Sequence, residues 1–255
     1  MFSSQNRCIY PKNALADVVC QLRFPEILEI GTQAPAAFQE SIRQEYPMYR
    51  RIMTPVPAAP KSAGAASAEQ VHQFSSADGV WKIRLSSGFV SLSCSQYPRW
   101  ESFAGKLDKP LASFISLYHP AFFHRVGLRY VNIFSRKSME LEEYGFRDLF
   151  SPCYLGILSQ EDVRESSTTR CSTDCQIALS GGCTARIHAG PGLLQNPVLP
   201  DREVKFIFDL DLFMNGQVPV NVTAGAMETL HSQAYPIFRG AISDLLHDRL
   251  MESTQ

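Results

Sequence analysis

The chain has 255 residues, 45% hydrophobic and 19% charged, a globular composition that excludes a wholly disordered polypeptide and suffices for a sizeable core. Its formal net charge of −1 gives no overall attraction for nucleic acid or for an anionic membrane. The opening MFSSQNRCIYPKN has no basic region followed by an apolar run, and no window approaches the ~18 apolar residues of a membrane span.

Seven scattered cysteines, an odd number, point to reduced thiols and a cytoplasmic location. The Asn221 sequence NVT matches a glycosylation acceptor, which carries no weight without export.

The first strand is expected in ADVVCQLRF, where Val18, Cys20, Leu22 and Phe24 alternate with Val19, Gln21 and Arg23. A helix follows in GTQAPAAFQESIRQEYP, with Thr32 as cap, Pro35 in its first turn, and Phe38, Ile42 and Tyr46 on one face. Pro47 ends it. Residues 55–70, rich in Pro, Ala, Ser and Gly, read as a mobile loop inside the fold.

Strands are then expected in VHQFSS, VWKIRLSS and FVSLSCS, with Trp81, Ile83 and Leu85 facing one way and Lys82 and Arg84 the other. WESFAGKLDKPLASFISLY spaces Trp100, Phe103, Leu107, Leu111, Phe114 and Leu117 as a helix. Pro110 either kinks it or opens a second helix capped by Asp108. HRVGLRYVNIF is the central strand, and a short helix is expected near residues 140–150.

CQIALSGGCTARIHA reads as a hairpin. A two-residue Gly-Gly turn scrambles both faces, whereas a Ser180-Gly181-Gly182 loop pairs Leu179 with Cys183, Ile177 with Ala185 and Cys175 with Ile187. That register sets Gln176 opposite Arg186 and Asp174 opposite His188 on the polar side. VKFIFDLDLF turns Val204, Phe206, Phe208, Leu210 and Leu212 inward and Lys205, Asp209 and Asp211 outward. A helix from about Ala226 to Met251, interrupted by Pro236, closes the chain.

The order is strand, helix, several strands, helix, and then the same again. LRFPEI at 22–27 and LRYVNI at 128–133 share Leu, Arg, an aromatic and Ile, which fits either a duplication or ordinary strand composition. The expectation is a two-layer α+β fold: a large, mainly antiparallel sheet with helices on one face. Two pseudo-repeats, residues 1–121 and 122–255, would share the sheet.

VVCQLRFP, a helix ending in YP, YPRWESF and HRVGLRYVN together resemble a sporadically distributed family of uncharacterised bacterial and archaeal proteins, with GLRYVN as the most specific element. The resemblance covers most of residues 10–135. It implies no activity, cofactor or catalytic residue. The family's patchy occurrence implies mobile-element or conflict genes, such as phage-defence or toxin–antitoxin modules.

The candidate site is the polar sheet face, which gathers Arg23, Lys82, Arg84, Arg125, Arg129, Gln176, Arg186, Asp209 and Asp211. Arg125 and Arg129 lie roughly 13 Å apart along one strand, with a hollow expected over Gly127. A backbone, carboxylate or phosphate suits that hollow, because guanidinium groups bind such acceptors bidentately. The alternative is that the two arginines pair with Asp209 and Asp211.

Cys171, Cys175, Cys183 and His188 have a loose ligand spacing, but the hairpin register turns Cys175 and Cys183 inward and His188 outward, against a zinc site. Ser180 and Cys183 in LSGGC fit a turn better than a nucleophile, as no signature surrounds them. His119 and His124 flank PAFF; His124 shares a face with Val126, Leu128 and Tyr130 and is expected at the core or its boundary.

The reading is a non-enzymatic macromolecule-binding protein with no cofactor and no membrane. Its partner is expected to be a protein, engaged through Arg23, Arg84, Arg125, Arg129, Asp209 and Asp211. The alternative is an enzyme or sensor holding a small anion, such as a nucleotide, on Arg125 and Arg129.

Overall fold

The computed structural model describes residues 2–55, 68–194 and 201–252. Most of the expected 55–70 loop, residues 56–67, lies outside the described residues. The strands are β1 (Leu15–Arg23), β2 (Met48–Pro55), β3 (Ala68–Ser75), β4 (Trp81–Leu85), β5 (Phe89–Cys94), β6 (Phe123–Phe134), β7 (Thr173–Ala178), β8 (Thr184–Leu193) and β9 (Val204–Val218). The helices are α1 (Leu28–Thr32), α2 (Ala36–Ile42), α3 (Trp100–Tyr118), α4 (Phe146–Leu149), α5 (Thr223–Ala241) and α6 (Asp244–Met251).

The chain is α+β, and its strands form a large, mainly antiparallel nine-stranded sheet in the order β2-β3-β4-β5-β1-β6-β9-β8-β7. Among the described residues, no helix is long and apolar enough to cross a membrane. The chain divides into two compact units. One comprises residues 1–17, 129–213 and 228–255, the other residues 18–128 and 214–227.

In the second unit the alternation of β1 holds, with Val18, Cys20, Leu22 and Phe24 all buried. Aromatic side chains join the sheet's apolar face to the helices: Phe24 meets Phe114 of α3 with ring centroids 4.7 Å apart, and Phe38 of α2 meets Phe74 of β3 at 5.5 Å. Such tilted and edge-to-face pairs suit the ring quadrupole.

Helix α3 is one continuous element with Pro110 buried inside it. His119, in a left-handed conformation, closes it by donating its backbone N–H to Ile115 O. Two expectations shift in this unit. Thr32 caps nothing at its helix N-terminus; it ends α1, where its hydroxyl donates to Leu28 O at 2.9 Å. Tyr46 lies beyond α2 but stays buried, donating its hydroxyl to Lys106 O at 3.0 Å.

In the first unit, Phe206 of β9 stacks on Phe150 at 3.8 Å between centroids, and Phe238 of α5 stacks on Phe134 of β6 at 6.2 Å. The expected hairpin register is present: Cys175 opposes Ile187, Gln176 opposes Arg186 and Ile177 opposes Ala185, with Leu179 N–H donating to Cys183 O at 2.8 Å. Gly181 and Gly182 take φ of 67° and 72°, the left-handed region open to glycine.

The final helix breaks where the sequence did not suggest. Pro236 sits inside α5, and the chain turns at Ile242–Ser243 instead. The break is fixed from outside and from within: Ser243 N–H donates to Leu149 O at 2.9 Å, and the Ser243 hydroxyl caps α6 by accepting from Leu246 N at 3.2 Å. Val204, expected inward, is exposed at the start of its strand.

Candidate functional site

The polar residues divide between the two units. In the first unit, antiparallel register lines them up in two rows across the sheet. His188 of β8 opposes Asp209 of β9 on one side and Asp174 of β7 on the other. Arg186 likewise stands between Asp211 and Gln176. Arg129 of β6 extends the first row, binding Asp209 with both arms of its guanidinium, Nε donating to Oδ1 at 2.7 Å and Nη2 to Oδ2. Arg186 meets Asp211 at 3.3 Å, and His188 Nδ1 meets Asp174 Oδ1 at 2.8 Å.

This face is layered by charge. The side chains of Arg129 and Arg186 are 46% and 61% exposed, while those of Asp209 and Asp211 are 15% and 10% exposed. The carboxylates lie against the sheet and the guanidinium groups stand above them. Asp209 pushes the Arg129 pKa up through the hydrogen bond, with further charge from Asp211 and Asp17. Arg129 therefore stays cationic and is held in one orientation. Asp211, expected to stand outward, is buried on the polar face; the Arg186 guanidinium lies at its carboxylate.

In the second unit, Arg84 of β4 donates through Nε to Gln73 Oε1 of β3 at 3.1 Å, its register partner. Arg23, the last residue of β1, donates through Nε to Gln21 Oε1 at 3.0 Å. The hollow expected over Gly127 is filled. A Cβ built on Gly127 would come within 2.0 Å of Arg125 Nη1 and 2.7 Å of its Cζ, so the guanidinium of Arg125 already occupies that space.

His124 is exposed, contrary to its expected place at the core boundary. It shares the parity of Val126, Leu128 and Tyr130, but it sits near the strand's N-terminal end. The neighbouring Phe123 instead fills the core, against Phe24 and Phe114.

Cys183 is buried, and that burial raises its thiol pKa, the wrong direction for a nucleophile. Ser180 Oγ accepts from Gln233 Nε2 at 2.9 Å, which secures the turn to α5.

Two features were not legible in the sequence. Strand β2 has exposed residues on both faces and so lacks the alternation that marks a strand. A cavity in the first unit, beside Glu165–Cys171, is assembled from segments far apart in the chain. The only local signal was the run ESSTTR, which places several hydroxyls beside a cation.

No protein-family model matches the chain, and no curated protein matches it.

Proposed function

We propose that the protein is a non-enzymatic binding protein whose layered charge face on β6, β9, β8 and β7 engages another protein. The observation that carries this reading is the stacking of exposed guanidinium groups on nearly covered carboxylates at Arg129–Asp209 and Arg186–Asp211. An arginine clamped through two donors, as Arg129 is by Asp209, loses little conformational freedom on binding, which lowers the cost of forming an interface. The face is spread over several strands, the format of a protein–protein contact rather than of a small-molecule pocket. With Arg125 filling the space over Gly127, a small anion has no hollow to enter there.

The test compares the wild-type chain with an Arg129→Ala, Arg186→Ala double variant in pull-downs from the native host. A protein captured by the wild type and lost by the variant, with the melting temperature preserved, supports the reading. Equal capture by both puts the interface elsewhere. Retention of nucleic acid alone replaces the protein partner, and capture of nothing counts against binding.

We propose further that the chain lies in the cytoplasm, supported by seven cysteines that are not joined in disulfides. Membership of the family it resembles, and with it a defence or toxin–antitoxin setting, is proposed on the GLRYVN strand and its companions alone. Helices on one face and two pseudo-repeats complete the proposed architecture. In support of the repeat, β1 is followed across the sheet by β5, β4, β3 and β2, and β6 in the opposite direction by β9, β8 and β7. Leu22, Arg23 and Phe24 also match Leu128, Arg129 and Tyr130 in being buried, exposed and buried.

A further inference from the structure

The first unit contains a concave site of about 430 Å3, within the range of small-molecule pockets. One wall is apolar, formed by Phe146, Leu158, Pro191, Leu193 and Val204; the other is the segment Glu165–Cys171 together with Arg136. Leu193 and Val204 are register partners at the end of the β8–β9 pair and are 59% and 40% exposed. They form an apolar lip that would lose contact with water if a ligand covered it.

The polar wall has a definite charge balance. Arg136 donates through Nη1 to Glu165 Oε2 at 2.9 Å and to Tyr144 O at 3.0 Å, and its guanidinium lies 4.1 Å from the centroid of the Phe146 ring. Glu165 also accepts from Phe146 N–H. This knot neutralises Arg136 within the protein and makes it a rigid floor. Arg170, the other lining cation, has no carboxylate partner among the described residues. The hydroxyls of Ser166 and Thr169 in the same lining make no hydrogen bond among the described residues, whereas Thr168 is committed to Arg164 O at 2.9 Å. The lining therefore carries one uncompensated positive charge together with two uncommitted hydroxyls.

We propose that this cavity binds a small amphipathic monocarboxylate. Its carboxylate is taken by Arg170 with Ser166 and Thr169, and its apolar body lies against Phe146, Leu158, Leu193 and Val204. One unpaired guanidinium matches one carboxylate in charge and in bidentate geometry. A phosphate dianion would bring a second negative charge towards Glu165, which is already in the lining, so the balance favours the monoanion. The site is separate from the charge face, and its test needs no macromolecular partner.

Titration calorimetry of the purified chain uses octanoate as the probe, with octanol and inorganic phosphate as comparisons. Octanoate is expected to bind saturably, octanol more weakly and phosphate not at all. Arg170→Gln, at an exposed position, is expected to weaken octanoate about tenfold, the scale of a lost charge-assisted hydrogen bond, and to leave the melting temperature unchanged. Leu193→Gln is expected to weaken octanoate and octanol alike. Failure of octanoate to saturate at millimolar concentration overturns the proposal. So does phosphate binding as well as octanoate, or octanoate binding that Arg170→Gln leaves untouched.

Discussion

The guanidinium of Arg125 lies over the bare backbone of Gly127, two residues along the same strand, where a Cβ would come within 2.0 Å of Nη1. Glycine is required there only as long as Arg125 keeps that position. The obstructing atoms are the far end of a flexible side chain, so Gly127→Ala is expected to swing Arg125 aside and change stability by no more than about 1 kcal/mol.

Gly190 is the contrasting case. A Cβ there meets Cys171 O at 2.5 Å and Ser172 Cα at 2.9 Å, both parts of a fixed main chain. Gly190→Ala is expected to cost about 2–4 kcal/mol, because neither neighbour can rotate away. Urea denaturation of the two variants side by side tests the distinction, and equal losses would contradict it.

The Arg129–Asp209 pair has two donors on one carboxylate but remains partly open to solvent. A double-mutant cycle with Arg129→Ala and Asp209→Ala is expected to give a coupling of about 0.5–1 kcal/mol, smaller at high salt. A coupling of zero would mean that the carboxylate does not hold the guanidinium in place.

His72 gives a pH dependence. It is buried in β3, with its ring hydrogen-bonded to the Tyr49 hydroxyl at 2.9 Å and to the Gln70 amide at 3.1 Å. Burial, and then the charge of Arg51, lower its pKa below the ordinary 6.5. Because the unfolded chain binds the proton first, the contribution is whole above the ordinary value and is lost as pH falls below it. The melting temperature of the wild type is expected to fall more steeply from about pH 7 to about pH 5 than that of His72→Gln. Parallel curves would rule out this residue as the cause.

Ser243 restarts the helix after the α5–α6 break by accepting from Leu246 N at 3.2 Å. Ser243→Ala is expected to cost about 1 kcal/mol, as for other N-cap deletions, measured by chemical denaturation. Ser243→Asp, which keeps an acceptor at the first turn, should recover most of it.

The two-residue repeat of apolar side chains was enough to locate β1, β4, β5, β6, β8 and β9, because each turns alternate apolar residues into the core. It also fixed the hairpin register, since only a three-residue turn keeps Ile177 and Ala185 on the same side as Cys183. Strand β2 escaped this reading because its residues are exposed on both faces, leaving backbone pairing with β3 as the evidence of its identity.

Local pattern determined which arginines stand on the polar face, but tertiary structure decided what they do there. Arg129 is clamped by a carboxylate 80 residues away in the chain, and Arg125 folds back over its own strand. The break between α5 and α6 likewise falls at Ser243, where Leu149 supplies a backbone acceptor, and Pro236 is carried within the helix. Side-chain direction follows from strand geometry and is written locally. The partner of a charge, the filling of a hollow and the lining of a cavity depend on segments that meet only when the chain is folded.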